Sequence, residues 1–460
     1  MNRFAAAREC RGGACSALVR GVAREGRSKL RPYRSKRAGW GWLFPLVLLV
    51  ASAAAADPSF SPTGPEAAAF GAVRNFPVGD RQTWLNQEFL VGSFSRYDTI
   101  FPSQRVAPAT QPWEFKRATT EPEIHYEFGG RRFSLEEYLG HFPVTGILLL
   151  QGDTILLERY QYGRTDADRF MSASMAKSVM ALLAGVALGD GSIRSLDDPA
   201  ASYVPELAGT PYGGTTLRVL LQMSSGIEFD VKGGERKDSR TEKLIDGIFA
   251  PGADPVAILA ASRNRVAPAG THFQYSSGDN ELAGLMVRRA TGKSLSAYLS
   301  EKIWQPIGAE AAATWWADTS GQELPFSGFN AVLRDYARLG RLLAQDGDWN
   351  GRQLIPKSYL IAATTNRPED RHLLPGGATP YYGYGFQMWI FPGKERMFVL
   401  RGAQSQYVFV DPASKLVLVQ TAVRSEGPDS ENGKSECMAL WLALVKQFGR
   451  TESATGRVGP

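Results

Sequence analysis

Apolar residues fall into two kinds of pattern, and the kinds are segregated along the chain. TGILLLQ and TILLERY (Thr145–Gln151, Thr154–Tyr160) are β-rich runs separated by Gly152-Asp153, a pair suited to a two-residue hairpin turn. Four more β-rich runs lie near the other end: YGFQMWIFP (Tyr384–Pro392), RMFVLRG (Arg396–Gly402), QYVFVDP (Gln406–Pro412) and KLVLVQTAV (Lys415–Val423). Helical patterns lie between. RFMSASMAKSVMALLAG (Arg169–Gly185) opens a long apolar run that ends near Gly189-Asp190-Gly191, a C-cap signal. TTLRVLLQMSSGI has a start in Thr215 or Thr216 and a stop in Gly226. DNELAGLMVRRATG (Asp279–Gly292) begins on Asp and ends on Gly. NAVLRDYARLGRLLAQDG (Asn330–Gly347) repeats apolar positions at helical spacing, and ECMALWLALVKQFG forms a last helix. Together they predict one antiparallel sheet made from both ends of the chain. A mostly helical lobe from Leu196 to about Gly347 faces it, and the cleft between them is the natural site.

Before the first hairpin the pattern is weak. Residues 57–77 are rich in Pro, Ala, Ser and Gly and read as a linker. Residues 78–125 carry scattered aromatics and prolines and read as a segment wrapping the main domain. The expected organisation is a leader over 1–56, linker and wrapping segment over 57–125, a main domain over 126–450 and a tail over 451–460. No internal repeat is visible.

Charge sharpens the picture of the leader. Residues 1–38 carry 11 Lys/Arg against 2 Asp/Glu, so the other 41 basic and 44 acidic residues leave the body near −3. A near-neutral body gives no electrostatic footprint for nucleic acid. The basic stretch runs into WGWLFPLVLLVASAAAA (Trp40–Ala56), which reads as a secretory signal with a small-residue cleavage site. The alternative is an uncleaved anchor, the only membrane contact expected. Either reading sends the body to an exported, periplasmic or secreted, compartment. Without the leader, Cys437 is the only one of three cysteines left, so no internal disulfide is expected. No Cys/His spacing supports a structural zinc site, and no metal or cofactor is expected. His125, His141, His272 and His372 are scattered.

The candidate chemistry starts at Ser174 and Lys177. The two residues are three apart, on one face of a helix and one turn from each other. Ser174 falls in the first turn, where free backbone N–H groups can stabilise a developing oxyanion. An ordinary ammonium, with a pKa of ~10.4, is a poor base at neutral pH. Burial can lower that value enough for a Ser–Lys hydrolase. This is the only Ser-x-x-Lys in the chain, and the apolar helix it opens must be buried. A second element, THFQYSSGDNELAG (Thr271–Gly284), puts Tyr275 in the loop before a helix, where its hydroxyl can point into a cleft. A third, LRGAQSQYVFVDP (Leu400–Pro412), has Gly402 at a strand edge, where a substrate could lie beside the backbone.

Ser-Met-Ala-Lys, then Tyr-Ser-Ser, then a glycine-bearing strand, in that order, resembles the serine β-lactamase and penicillin-binding-protein superfamily. More narrowly it is similar to the class C-related branch containing 6-aminohexanoate-dimer hydrolases and esterases. YVPELAG (Tyr203–Gly209), TTLRVLLQMSSGI and GFNAVLRDYARLGRLL (Gly328–Leu343) agree, and the resemblance spans about Phe101 to Phe448. It implies an α+β fold with a five-stranded antiparallel sheet flanked by helices and a mostly helical second lobe. It implies Ser174 as acylated nucleophile, Lys177 as general base and Tyr275 as proton relay. The backbone N–H groups of Ser174 and of Ala403, or in another register Gln404, would hold the oxyanion. Ser277, Gly402 and Gln404 would contact substrate. Leu400 stands where β-lactamases have the lysine of Lys-Thr-Gly, which removes a cation that holds a substrate carboxylate. Arg401 faces the opposite side of the strand by alternation. The expected function is hydrolysis of small-molecule amides or esters through an acyl-serine. A D,D-carboxypeptidase and an acylated, non-turnover sensor are the alternatives. Substrate choice is expected in the helical lobe, where the charged stretch FDVKGGERKDSRTEK (Phe229–Lys243) lies, with a solvated loop the plainer reading of any single charge in it; ATWWADTSGQE (Ala313–Glu323) could line the cleft, with Trp315 and Trp316 the more natural core residues.

Overall fold

Gly152 and Asp153 turn the first hairpin: Gln151 pairs with Thr154, and Gly152 takes φ 58°, open to glycine without a Cβ penalty. A computed structural model describes residues 56–230, 239–247, 251–424 and 433–449. Most of the leader, Cys10 and Cys15, the centre of the Phe229–Lys243 stretch and the tail lie outside the described residues.

The hairpin strands Val144–Gln151 and Thr154–Tyr160 join Leu416–Ala422, Gln406–Asp411 and Phe398–Gly402 in an antiparallel array, so both ends of the chain build one sheet. These five central strands are the expected sheet, but among the described residues it has nine. Gly383–Tyr384 and Trp389–Ile390 extend one edge. The expected continuous strand over Tyr384–Pro392 is broken because Gln387, at φ 59°, turns back toward the helix Leu217–Leu221. Its backbone N–H donates to Leu221 O, and its side-chain amide donates to the Leu220 and Leu221 carbonyls. The loop thereby satisfies the Leu221 carbonyl at the helix end and adds a second donor to that of Leu220, which already accepts from the Met223 N–H. At the opposite edge, Ser59–Phe60 and Lys116–Arg117 pair parallel with Thr154–Tyr160. Short strands of this kind blunt an edge that could pair with another chain.

Alternation along the strands buries both faces. Leu148, Leu150, Leu400, Val408, Val417 and Val419 face one apolar cluster, whereas Ile147, Leu149, Val399, Phe409 and Leu418 face another. The helices Met175–Gly189 and Leu333–Ala344 cover the first face. Glu436–Phe448 covers the second through Cys437, Met438, Leu440, Trp441 and Leu444. Each fully buried Leu or Val contributes about 1.5–3 kcal/mol relative to an exposed one. The strands therefore read as continuous apolar runs.

The region from Leu196 to Gly347 is less helical than its pattern suggests. Ala313–Trp316 and Phe329–Val332 are strands of a second, four-stranded antiparallel sheet with Ser103–Val106 and Arg169–Met171. The Asn330 helix accordingly begins only at Leu333. Trp315 and Trp316 are buried core residues rather than cleft lining. Residues 57–125 do more than link and wrap: they contribute strands to both sheets. Trp84, Tyr97 and Phe101 surround the Trp316 ring at 6.4, 4.9 and 4.8 Å between centroids.

Candidate active site

The strand Arg169–Met171 delivers the chain to a strained turn. Ala173 takes φ 46°, a left-handed conformation that costs a non-glycine residue of order 1 kcal/mol or more. Ser174 follows as the residue before the helix Met175–Gly189, half-buried, with its side chain free of any capping bond. Among the described residues no acceptor pairs with the Ser174 N–H, whereas the following N–H groups of Met175, Ala176 and Lys177 turn back to the Ser172, Ala173 and Ser174 carbonyls.

Lys177 is 3 % exposed. Its Nζ donates to Phe326 O at 2.9 Å and lies 3.4 Å from Ser174 Oγ. The rings of Tyr275 and Phe326 sit 4.9 and 5.5 Å from the same nitrogen. These rings favour the cation, but burial without a carboxylate partner dominates and lowers its pKa to about 7. A helix thus places an amine whose burial favours its neutral form against a serine hydroxyl.

Tyr275 arrives from another element. Ser276 caps the helix Ser277–Thr291 by accepting from the Asp279 N–H, so this helix starts two residues before the expected Asp279. The helix packs on Met175–Gly189, bringing the residue before its cap to Lys177. The Tyr275 ring stacks on Trp389 at 5.8 Å and keeps 40 % of its surface exposed. Although part of the ring stays open to solvent, packing around the phenol desolvates it and pushes it up to about 12, against the opposing pull of the Ser174 side chain and the Arg401 charge. At neutral pH it is a proton donor.

The third wall is the turn after Phe398–Gly402. A Cβ on Gly402 would stand 2.1 Å from Ser172 O, so the missing side chain here is accounted for by contact with the turn that leads into Ser174. Ala403 is exposed and its N–H has no acceptor among the described residues. Gln404 and Ser405 continue the turn at φ 61° each. Leu400 is buried in the core. Arg401, on the other strand face, lies over the rings of Tyr382 and Trp389 at 4.9 and 5.2 Å. Alternation alone did not reveal that this face carries the tryptophan on which Tyr275 stacks. Ser277 is the first helical residue, half-buried, and its side chain makes no hydrogen bond among the described residues.

Two features went unread in the sequence. The Phe326 carbonyl that holds Lys177 has no sequence signal, since any residue supplies one. Asp279, fully buried in the helix that follows Tyr275, accepts from Ser225 Oγ at 2.7 Å, Tyr212 OH at 3.1 Å and Ser225 N–H at 3.2 Å. In the sequence, its position two residues after a Tyr-Ser-Ser run signals only a helix start.

Residues 135–436 match the family model described as Beta-lactamase. The chain belongs to the beta-lactamase family. It is a hydrolase of that family's serine amidase and esterase type. Among curated proteins it is similar to the 6-aminohexanoate-dimer hydrolase of Paenarthrobacter ureafaciens, 27 % identical over 379 residues, covering 78 % of this chain and 91 % of that one. Among solved structures it resembles a Bacillus anthracis protein carrying a provisional 6-aminohexanoate-dimer hydrolase name, with TM-score 0.71, 24 % identity and coverage of 80 % and 97 %. A penicillin-binding-protein homologue from Caulobacter crescentus has the same fold, with TM-score 0.51, 18 % identity and coverage of 66 % and 94 %.

Proposed function

We propose that the protein cleaves amide or ester bonds of small molecules through an acyl-serine on Ser174. The observation that carries the reading is the buried Lys177 amine, lowered to about 7, at 3.4 Å from Ser174 Oγ. Ser174 Oγ attacks the substrate carbonyl and its proton passes to neutral Lys177. The N–H groups of Ser174 and Ala403 hold the oxyanion. As the tetrahedral species collapses, the carbon–leaving-group bond breaks and Tyr275 gives its proton to the departing nitrogen or oxygen. The Lys177 ammonium returns a proton to the phenolate. Water then attacks the acyl-serine, its proton goes to Lys177, and Ser174 leaves reprotonated. The spread of the two pKa values supports the division of labour, a base near 7 beside an acid near 12.

By resemblance Leu400 stands at the position of a substrate-binding lysine, and it is a buried apolar residue, which favours amides and esters other than D-alanyl-D-alanine peptides. The similarity to a 6-aminohexanoate-dimer hydrolase supports a small linear substrate. The test compares the purified protein with Ser174→Ala on short-chain chromogenic esters and on linear aminoacyl amides. Turnover in the parent and none in the variant is the expected result. Equal rates in both would remove Ser174 from the mechanism. Acylation seen by intact mass without turnover would point to a sensor instead.

A further inference from the structure

Arg401 stands between the two parts of the site that must face one substrate bond. Its strand, Phe398–Gly402, ends one residue before Ala403, whose N–H has no acceptor among the described residues. Across the sheet Trp389 pairs with Val399, so Arg401, two residues on, is its diagonal neighbour on the same face. Tyr407 pairs with Arg401 directly. Register therefore sets the guanidinium among rings, 5.2 Å from the Trp389 centroid, 4.9 Å from that of Tyr382 and 5.9 Å from that of Tyr407. The quadrupole of a ring face attracts such a cation, and the planar guanidinium stacks on it.

The Trp389 ring carries the contact onward. Tyr275 stacks on it at 5.8 Å with 24° between the ring planes, and meets Tyr384 edge-on at 6.4 Å. The Ser276 cap fixes the backbone beside Tyr275, but a fixed backbone leaves a side chain its choice of rotamers. The Trp389 face and the Tyr384 edge are the rings that select one. Trp389 itself is half-buried on a two-residue strand, where few ladder bonds hold it. The guanidinium over its ring adds a hold that the strand does not supply. The Arg401 charge also reaches the Tyr275 phenol, pulling its pKa down against burial.

We propose that Arg401 is a positioning residue of the reaction: through the Trp389 ring it fixes the Tyr275 ring relative to the strand end that carries Ala403, so that proton donor and oxyanion donor face the same scissile bond. The inference rests on Ser174 being the nucleophile and Tyr275 the proton donor. Arg401 acts on Tyr275 rather than on the substrate. Without it the phenol loses its aim at the departing atom, and a leaving group that needs a proton feels the loss most.

The test is a mutant cycle read on a linear aminoacyl amide and the p-nitrophenyl ester of the same acyl group. The readout is the amide-to-ester ratio of kcat/KM within one preparation, so partial loss of folded protein cancels. Arg401→Met lowers the ratio at least about tenfold, a part of the 10²–10⁴-fold that general acid catalysis contributes, and the loss falls on the amide kcat rather than its KM. Arg401→Lys, which returns a cation to the rings, restores most of it. In Trp389→Leu or Tyr275→Phe the ratio is already low, and adding Arg401→Met lowers it no further. Should Arg401→Met not fold, Arg401→Gln carries the same test. A ratio unmoved by either Arg401 variant, or a fall that adds in full to that of Tyr275→Phe, overturns the inference and leaves Ser174 and Tyr275 in their roles. Labelling by a fluorophosphonate, from which Ser174 Oγ displaces fluoride with loss of its proton, checks the nucleophile separately. No labelling of the folded parent overturns Ser174 and this inference together. Labelling without turnover of either substrate overturns proton transfer from Tyr275 and this inference, and leaves Ser174 as nucleophile.

Discussion

The backbone of Gly402 runs against the carbonyl of Ser172, so closely that a Cβ at 402 would stand 2.1 Å from that oxygen and 3.1 Å from Ala173 Cβ. The contact clamps the strand carrying Ala403 onto the turn carrying Ser174. Backbone cannot swing aside as a side-chain tip can, so Gly402→Ala must displace one of the two segments. The expected outcome is a lower melting temperature and at least a tenfold loss of kcat on any substrate, since misplacement by about 1 Å costs on the order of 10²-fold. Gly140→Ala is the control, because a Cβ there meets nothing within 4 Å. Parent-like kinetics in Gly402→Ala would show that the clamp does not position the reacting groups.

Lys177 gives a prediction in which activity and stability move in opposite directions. Its folded pKa, about 7, lies below the ordinary 10.5. Between those values the unfolded chain holds a proton that the folded chain lacks. The folded state therefore loses stability as pH falls through this window, and the full penalty is present below about 7. At about 1.36 kcal/mol per pKa unit the penalty is on the order of 4–5 kcal/mol. Lys177→Met removes the ionisable group. Its melting temperature relative to the parent should rise as pH is lowered from 9 to 6, while acylation of Ser174 is lost. In the parent, kcat/KM should climb with pH through about 7. A constant offset between the two melting curves would mean that the lysine is not strongly perturbed.

Tyr275 has its own signature. In Tyr275→Phe the ring still stacks on Trp389 and shields Lys177, but the proton donor is gone. General acid catalysis typically contributes 10²–10⁴-fold. An amide, whose nitrogen must be protonated to leave, should therefore slow by at least about 10²-fold. A p-nitrophenyl ester, whose phenolate leaves unaided, should slow much less. Equal losses on both substrates would assign Tyr275 to positioning rather than proton transfer.

These side chains differ in how far the sequence disclosed them. Ser174 and Lys177 were legible because helical spacing fixes an (i, i+3) pair locally, before any tertiary structure is known. Tyr275 was legible only as a tyrosine ahead of a cap. What brings it to Lys177 is helix–helix packing, which periodicity does not encode. The hairpin at Gly152-Asp153 and the three central strands after Arg396 declared themselves through β-rich runs and turn residues. Ala313–Trp316 and Phe329–Val332 did not, because four-residue strands are too short for a period to show. Residues 57–125 hid their role for a related reason: Ser59–Phe60 and Lys116–Arg117 are two-residue strands whose partners lie at the two ends of the strand Thr154–Tyr160. Gly402 reads in the sequence as a place for substrate beside the backbone, whereas the structure sets the Ser172 carbonyl there.

Asp279 supplies a prediction of opposite sign to that of Lys177. Burial pushes its carboxyl from 3.8 up to about 7, against the hydrogen bonds from Ser225 and Tyr212. Between those values the folded chain holds a proton that the unfolded chain releases, so the stability this group contributes is present below about 4 and is lost as pH rises through 7. Asp279→Asn fixes a neutral group in the same place. The amide can still accept from Ser225 Oγ–H and Tyr212 OH, but its NH₂ then faces the Ser225 N–H, now 3.2 Å from the second oxygen. That mismatch costs about 1–3 kcal/mol independently of pH. The diagnostic is therefore the slope rather than the offset: the melting temperature of Asp279→Asn relative to the parent should rise as pH goes from 4 to 8. Because Ser276 and Asp279 together anchor the loop that presents Tyr275, the amide-to-ester rate ratio of the variant reports on that loop independently. A slope with an unchanged ratio makes Asp279 a structural carboxyl. A slope with a fallen ratio makes it the group that positions Tyr275, and parallel melting curves would show the carboxyl to be ionised throughout.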